Sequence, residues 1–211
     1  MNHVLYGTRG SGSAAIEIAL AACKVPFERV TASSWEPQSA QRELARLNPM
    51  RQIPTLQLPD GSVLTESAAI LIHLGLAFPG SGLLPRAAAA RAQAIRGLVF
   101  IAANCYAAIS IGDYPERWTT ATTKPAHDKV RQGARRQLHW HWELFADTFV
   151  GKPYLSGKVP GALDFLAVVV SRWSGTRAHV AKARPRFAAT LQRIEAHRLV
   201  KPVLAAHWGA Q

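Results

Sequence analysis

The chain has 211 residues, of which 48% are hydrophobic and 18% are charged, and this composition excludes a disordered or collagen-like protein. Two cysteines, Cys23 and Cys105, are too few for a disulfide framework, which favours a reduced, cytoplasmic protein. The net charge of +12 falls entirely on residues 81–211, because residues 1–80 carry six basic and six acidic side chains. This asymmetry indicates two modules and, in the second, either a solvated basic surface or a site for an anionic partner.

The first part of the chain alternates between patterns typical of strands and of helices. Apolar runs bounded by turn residues predict strands, and apolar residues at helical spacing predict helices. In chain order the predicted elements are a strand over residues 4–6, a helix over 14–23, a strand over 26–31, a helix over 39–47, a hairpin of strands over 55–58 and 62–65, and a helix over 67–77. This order indicates a small α/β domain that opens with a βαβ unit.

The second part of the chain favours helices alone. Helical spacing predicts helices over residues 87–110, 124–149, 164–172 and 186–195. The third contains β-branched residues that favour a strand, but its position among helices indicates a buried helix. The uninterrupted apolar runs, such as those over 87–90 and 98–103, are too short to cross a bilayer, so no membrane span is expected. The predicted organisation is a domain over 1–79, a linker over 80–86 and an all-helical domain over 87–211.

Three short motifs follow one another along the chain. They are Asn48-Pro49-Met50-Arg51-Gln52-Ile53-Pro54-Thr55-Leu56, then Leu64-Thr65-Glu66-Ser67-Ala68-Ala69-Ile70, then Gly151-Lys152-Pro153-Tyr154-Leu155-Ser156-Gly157 with Asp164 beyond it. In this order and spacing they resemble the loop with a cis-proline, the γ-glutamyl-binding turn and the approach to a conserved buried helix of the glutathione S-transferase superfamily. By the same resemblance, Asp164 accepts N–H groups at the start of that helix. The resemblance covers nearly the whole chain.

This resemblance implies a fold and an activity. The fold would be an α/β thioredoxin-like N-terminal domain followed by an all-α C-terminal domain. The activity would be that of a glutathione S-transferase, in which the thiolate of glutathione, bound as a co-substrate without a metal, attacks a small electrophilic molecule in detoxification. Family members pair the first domain of one chain with the second domain of another, so a homodimer is expected.

The second motif suits the zwitterionic γ-glutamyl end of glutathione. Ser67 begins a predicted helix, where free N–H groups and the helix dipole attract a carboxylate. Glu66 is a suitable acceptor for the ligand's ammonium group. Taken alone, the pair would more simply be a helix cap beside a first-turn acid. Its position 12 residues after Pro54 favours ligand binding.

The first motif is expected to hold the rest of the tripeptide. The resemblance implies that the Ile53-Pro54 peptide bond is cis, and that the backbone of Ile53 pairs with the cysteinyl backbone of glutathione like an added strand. Gln52 is a family-type contact to the γ-glutamyl part. Arg51 stands where glycine is common in the family, and it either pairs with the glycyl carboxylate of glutathione or points into water.

Three hydroxyl groups compete for the task of stabilising the thiolate. A hydroxyl that hydrogen-bonds to the sulfur favours the anion, as does the N-terminus of the first helix. Ser11 falls where the serine classes keep their catalytic residue and is the first candidate, Ser13 is the second and Tyr6 is the third. The alternative is that Gly10-Ser11-Gly12-Ser13 is a plain turn whose backbone amides alone hold the sulfur.

The electrophile is expected to bind between the two domains, along the first helix of the second. Tyr106 and Ile109 are three residues apart and so share one helical face, and Trp118 follows a break in that helix. Helical aromatic residues belong more often to a core than to a pocket, so a core position is the alternative. His139 and His141 are two apart on a helix and point to different sides, which argues against a metal site.

Two other kinds of function stay open. One keeps glutathione but changes the reaction to disulfide or peroxide reduction, or to isomerisation. The isomerase class usually has Ser-Ser-Cys in its first loop, where this chain has Ser11-Gly12-Ser13, and this difference argues against isomerisation. The other is a non-catalytic protein that binds a protein or a nucleic acid through its basic helical domain. Glu66 and Ser67 argue against it, and no nucleic-acid recognition motif supports it.

Overall fold

The computed structural model describes residues 2–33, 35–36 and 38–209. Its strands are β1 His3–Gly7, β2 Phe27–Thr31, β3 Thr55–Gln57 and β4 Val63–Leu64. They form one mixed sheet in the order β2-β1-β3-β4. β1 and β2 are parallel, as a helical connection requires, whereas β3 is antiparallel to both β1 and β4.

Three helices cover the two faces of this sheet. They are α1 Ser13–Cys23, α2 Gln41–Leu47 and α3 Ser67–Ala77. Successive side chains of a strand point to opposite faces. Leu5 therefore enters the core that contains α1 and α3, and its neighbour Tyr6 enters a small cluster with Leu44 of α2. This is the predicted thioredoxin-like arrangement.

The second part of the described chain is helical. Its helices are α4 Ala88–Phe100, α5 Ala107–Asp113, α6 Lys124–Thr148, α7 Ala162–Val170, α8 Thr176–Ala183, α9 Pro185–Glu195 and α10 Lys201–Trp208. The sequence analysis missed α8 and α10 because each is only eight residues long, too short for a clear hydrophobic period. Pro202 in the first turn of α10 is a helix-start signal that could have found it.

The predicted helix over 87–110 is interrupted by a π-helical turn, Ile101–Tyr106, which joins α4 to α5. A π-helical turn holds more residues than an α-helical turn, so the residues before it and after it point in directions that a regular helix would not give. Tyr106, the last residue of this turn, and Ile109, in α5, have different surroundings. Tyr106 is half-buried, whereas Ile109 is only 6% exposed and belongs to the core.

The helical stretch Ala88–Asp113 is long and apolar enough to cross a membrane by length and composition, and its most apolar 18-residue window has a mean hydropathy of 1.7. Polar side chains divide this stretch into short apolar runs, so the length of those runs alone does not indicate how apolar the whole stretch is. In the structure the stretch packs within the helical part. At Gly97 it approaches Leu163 of α7 and Phe149 so closely that a β-carbon would collide with Leu163. Packing against other helices buries part of this stretch, 39% of its most apolar window.

One continuous core joins the sheet, α1 and α3 to the helices of the second part. At its centre all nine residues of α7 are buried, including the β-branched run over residues 168–170, so the predicted buried helix is confirmed. The carboxylate of Asp164 accepts the N–H groups of Leu155 at 2.7 Å, Ser156 at 2.9 Å and Gly161 at 3.0 Å. α1 contacts α3, α7 and α10, so both parts of the chain hold it in place.

Candidate functional site

The loop between β1 and α1 is closed by its own serine hydroxyls. Ser11 Oγ donates to the carbonyl of Thr8 at 2.7 Å, accepts the N–H of Ser13 at 3.2 Å, and lies 2.9 Å from Ser13 Oγ. Both serines are buried. Each hydroxyl has one proton, and both protons are used within the loop, so neither is left for a ligand in this conformation. Ser11 and Ser13, the first two catalytic candidates, therefore lie in the expected loop, but their hydroxyls point into the loop.

Tyr6 lies in the cluster on the α2 face of the sheet and is 2% exposed. Its hydroxyl donates to Glu43 Oε1 at 2.5 Å. Burial, together with this hydrogen bond, raises the pKa of Tyr6 to about 12. The structure therefore does not bring the third candidate hydroxyl to the first loop, and uses it to tie β1 to α2 instead.

A different hydroxyl reaches the loop. Tyr106, the last residue of the π-helical turn, points its phenol oxygen at Gly12, where a β-carbon would collide with it. The same hydroxyl contacts the side chain of Ser67. Burial raises the pKa of Tyr106, and the charge of Glu66 acts in the same direction, so the phenol is protonated at neutral pH. It is a hydrogen-bond donor beside the start of α1.

The loop that contains Pro54 also borders Gly12. Cδ of Pro54 is 3.5 Å from the position that a β-carbon of residue 12 would take. The Ile53-Pro54 bond is cis, as the family resemblance implies. Within the described residues no hydrogen bond reaches the backbone N–H or carbonyl of Ile53, so both groups are available to pair with an extended ligand.

The two residues before Ile53 have exposed side chains. The carbonyl of Gln52 accepts Asn48 Nδ2 at 3.0 Å and Thr55 Oγ1 at 2.9 Å, and these bonds hold the turn that leads into the cis bond. Arg51 has a φ of 55°, in the left-handed region that favours glycine. This conformation explains why a glycine suits the position, and it leaves the guanidinium of Arg51 free to extend from the turn.

Glu66 precedes α3 with a φ of 63°, a conformation that costs a residue other than glycine about 1–3 kcal/mol. Its side chain is exposed, whereas Ser67, the first residue of α3, is 9% exposed. The unpaired N–H groups at the start of α3 therefore lie beside a carboxylate and a hydroxyl. This arrangement can hold an ammonium group and a carboxylate of one ligand.

The remaining predicted site residues are not brought to this place. Ile109 packs in the core, and Trp118 is a surface residue, 57% exposed, just after the short helical turn Pro115–Arg117. The two histidines of α6 have separate neighbours, as their spacing predicts. The ring of His139 stacks on that of His179, whereas His141 packs edge-on against Phe100.

One residue that the sequence analysis did not single out also touches the first loop. The N–H of Gly10 donates to Nδ1 of His207 at 3.2 Å, and Nε2 of His207 lies 2.9 Å from Oε1 of Glu17 in α1. The first contact joins residues 197 positions apart, so no local pattern could have shown it. It places α10 directly against the loop and against the first helix.

Comparison with known proteins shows which sequences this chain is similar to. Residues 13–76 match the family model for the N-terminal domain of glutathione S-transferase. The chain is 30% identical over 174 residues to the uncharacterized GST-like protein YncG of Escherichia coli K12, and the match covers 80% of each protein. A maleylacetoacetate isomerase of Dictyostelium discoideum is 36% identical over 94 residues, which are 43% of this chain and 42% of that protein.

Solved structures share the fold over almost the whole chain. A glutathione transferase homologue from Sulfitobacter, crystallised with bound glutathione, has a TM-score of 0.84 at 22% identity and covers 96% of each chain. BphK, a bacterial GST solved as a ternary complex, has a TM-score of 0.79 at 26% identity, covering 97% of this chain and 98% of BphK. The predicted order of a thioredoxin-like domain and an all-α domain is thus confirmed, and the chain belongs to the glutathione S-transferase superfamily.

Proposed function

We propose that this chain is a cytoplasmic glutathione transferase that joins the thiolate of glutathione to small electrophilic molecules, a detoxification reaction. The observation that carries the proposal is the meeting of Tyr106 with Gly12 and Ser67. This meeting brings a hydroxyl donor, the start of α1 and the start of α3 to one place. A tripeptide thiol needs such a place, because its sulfur and its γ-glutamyl end must be held together.

Each part of glutathione has a matching group in the proposed site. The ammonium of the γ-glutamyl part would bind Glu66, and its carboxylate would bind the N–H groups at the start of α3 and the Ser67 hydroxyl. The cysteinyl backbone would pair with the free backbone groups of Ile53, next to the cis-proline Pro54. Gln52 would contact the γ-glutamyl part, and Arg51 would pair with the glycyl carboxylate. The exposed side chain of Glu66 at the start of α3 supports this assignment.

We assign stabilisation of the thiolate to the hydroxyl of Tyr106. Its raised pKa keeps the phenol protonated, so that it donates a hydrogen bond to the sulfur rather than removing a proton. The N-terminus of α1 adds a favourable dipole. Ser11 and Ser13 contribute by fixing the shape of the loop through their mutual hydrogen bonds, and Tyr6 contributes to the packing of β1 on α2.

The electrophile would bind on the outer side of Tyr106, along the helical stretch that contains the π-helical turn. The ring of Tyr106 packs against Trp173, with ring centroids 5.7 Å apart, and the pair offers an aromatic surface to an apolar molecule. Trp118 is proposed to border this surface beyond the end of α5. Ile109 would shape it from the core, without touching the ligand.

The functional unit is proposed to be a homodimer that pairs the first domain of each chain with the second domain of the other. Residues 1–80 are neutral and residues 81–211 carry the whole net charge of +12, so such pairing avoids bringing two basic surfaces together. Light scattering at micromolar concentration should give twice the chain mass of 22.9 kDa. A mass near that of one chain would contradict the dimer.

The deciding experiment is calorimetric titration of the protein with glutathione. The wild type should bind, and Glu66→Ala should bind roughly 10- to 100-fold more weakly, because a charged hydrogen bond contributes about 1.5–3 kcal/mol. Glu116→Ala, which removes an exposed carboxylate elsewhere, is the matched control and should leave the affinity unchanged. A wild type without affinity for glutathione would remove the basis of the proposal. Unchanged affinity in Glu66→Ala would remove only the residue assignment.

Glutathione-dependent isomerisation is the second candidate, favoured by the partial similarity to maleylacetoacetate isomerases. Transferase and isomerase share the bound thiolate, so binding alone does not separate them. Assays with glutathione on a panel of electrophiles, peroxides, disulfides and cis-unsaturated diketo acids do separate them. Consumption of glutathione with the electrophiles supports the transferase, whereas conversion of the diketo acid with glutathione regenerated supports the isomerase.

A further inference from the structure

His207 is a buried polar residue with two specific partners, and the proposed function does not use it. It lies in α10, close to the far end of the described chain, and its side chain is fully buried. Its Nδ1 faces the N–H of Gly10 at 3.2 Å, and its Nε2 faces Glu17 Oε1 at 2.9 Å. Both partners belong to the region that is proposed to hold the sulfur of glutathione, one in the first loop and one in α1.

The two contacts fix which nitrogen carries the proton. A backbone N–H can only donate, so Nδ1 of His207 must be the acceptor and carries no proton. Nε2 then carries the proton and donates it to the carboxylate of Glu17. Oε2 of Glu17 also lies 3.6 Å from Nη1 of Arg29, and the positive charge of Arg29 balances the negative charge of Glu17. A carboxylate that holds one nitrogen of an imidazole thereby orients the other nitrogen toward the loop.

The hydrogen bond between Gly10 and His207 acts on the part of the loop that requires a left-handed backbone conformation. Gly10 has a φ of 72°, in the left-handed region, and lies two residues before Gly12. A second contact from the same end of the chain, Arg9 to the carbonyl of Gly209 at 3.4 Å, lies next to it. The loop is therefore held from α10 as well as by its own serine hydroxyls.

We infer that His207 is a positioning residue for the first loop: by accepting the N–H of Gly10 while Glu17 holds its other nitrogen, it sets where Gly12 and the start of α1 stand relative to the hydroxyl of Tyr106. The inference rests on the proposed function, because it concerns the geometry around the bound sulfur. A displacement of a few tenths of an ångström between donor and sulfur weakens the hydrogen bond that stabilises the thiolate.

Two substitutions separate this role from simple packing. In His207→Asn the amide oxygen can stand near the position of Nδ1 and accept the Gly10 N–H, but the side chain is too short to reach Glu17. In His207→Gln the amide nitrogen can reach Glu17, but no acceptor remains at the position of Nδ1. Both variants remove the ring and one hydrogen bond, so their losses of thermal stability should be similar.

The measured quantities are the pKa of the thiol of bound glutathione, from thiolate absorbance against pH, and kcat with the best electrophile. We expect His207→Gln to raise that thiol pKa and to lower kcat about tenfold at saturating glutathione, a change of about 1.4 kcal/mol in the barrier. His207→Asn keeps an acceptor for the Gly10 N–H and loses only the contact that orients it, so both changes should be clearly smaller than in His207→Gln. Equal losses in the two variants, or none in either, would overturn the inference.

A measurement on the unaltered protein covers the case in which a variant does not fold. Nitrogen-15 NMR of the histidines in the wild type should show His207 with its proton on Nε2, and amide exchange at Gly10 should be slow. A proton on Nδ1, or fast exchange at Gly10, would also overturn the inference. A wild type that neither binds nor uses glutathione contradicts the proposed function instead, so the two failures are distinct.

Discussion

The hydroxyl oxygen of Tyr106 stands where the side chain of residue 12 would begin, and the absence of a β-carbon at Gly12 lets it do so. Gly12 has a φ of −63° and a ψ of −14°, which any residue can adopt. The glycine is therefore required by space and not by backbone conformation. This relationship links the first loop of one domain to the long helix of the other.

A double substitution tests that contact. Gly12→Ala should lower the free energy of unfolding by about 1–3 kcal/mol, because the new methyl group meets the phenol oxygen. In the Tyr106→Phe background the same change should be neutral, or stabilising by up to about 1 kcal/mol, since alanine lowers the entropy of the unfolded chain. Urea unfolding of the four proteins gives the comparison.

Gly133→Ala is the matched control for that cycle. Gly133 lies within α6, with open space where its β-carbon would be. Gly133→Ala should raise the free energy of unfolding by about 0.5–1 kcal/mol in both the wild-type and the Tyr106→Phe background. A Gly12→Ala effect that does not depend on residue 106 would show that another neighbour, such as Pro54, limits the space.

Tyr106→Phe should slow the thiolate chemistry while leaving glutathione affinity nearly intact. A hydrogen bond of about 1–2 kcal/mol to the sulfur corresponds to a roughly 5- to 30-fold loss in rate and to a higher thiol pKa in the complex. Thiolate absorbance against pH is measured side by side in Tyr106→Phe, Ser11→Ala, Ser13→Ala and Tyr6→Phe. If the thiol pKa rises in Ser11→Ala and does not change in Tyr106→Phe, stabilisation of the thiolate belongs to Ser11.

If none of these four variants shifts the thiol pKa, the backbone amides and the dipole of α1 hold the sulfur without a side-chain hydroxyl. Stability must be measured in parallel, because Ser11 and Ser13 close the loop and their removal can move the amides as well. A rate loss in Ser13→Ala that follows its loss of stability is therefore assigned to the loop, not to the sulfur.

Asp164→Asn should lower the free energy of unfolding by about 2–4 kcal/mol. The fully buried carboxylate accepts three backbone N–H groups, and an amide nitrogen in place of one oxygen would face donors with another donor. Asp128→Asn, on the exposed side of α6, is the control and should cost less than about 1 kcal/mol. Equal effects in urea unfolding would contradict the structural role of Asp164.

The burial of Tyr6, together with its hydrogen bond to Glu43, should make the stability of the protein fall at high pH. The folded pKa of Tyr6 is raised from 10.0 to about 12, so the protein favours the neutral phenol. This contribution is fully present below pH 10.0 and is lost as the pH rises toward about 12. The free energy of unfolding of Tyr6→Phe, measured in urea across this window, should fall less steeply with pH than that of wild type, and an equal slope in the two proteins would contradict the prediction.

Sequence patterns predicted the sheet, the early helices and the buried α7, because strong apolar periods and turn signals mark them. They did not predict the π-helical turn, because one residue inserted into a helix turn produces no recognisable spacing of apolar residues. Ser11 was placed in the loop, but the direction of its hydroxyl depends on local bonds to Thr8 and Ser13. The sequence predicts Tyr106 beside the electrophile and not beside the sulfur. The approach of Tyr106 to Gly12 depends on how the two domains pack, and no local pattern shows that packing.

The π-helical turn also bears on how related chains should be aligned. The π-helical turn holds one residue more than an α-helical turn, so deletion of the exposed Ala103 would restore a regular helix and leave Tyr106 facing Gly12. A relative that is one residue shorter here would present the equivalent of Tyr106 to its first loop, although its residue numbers are shifted by one. Gaps in the middle of this helix therefore carry information about the chemistry at the sulfur, and an alignment that moves them into the neighbouring loops would hide it.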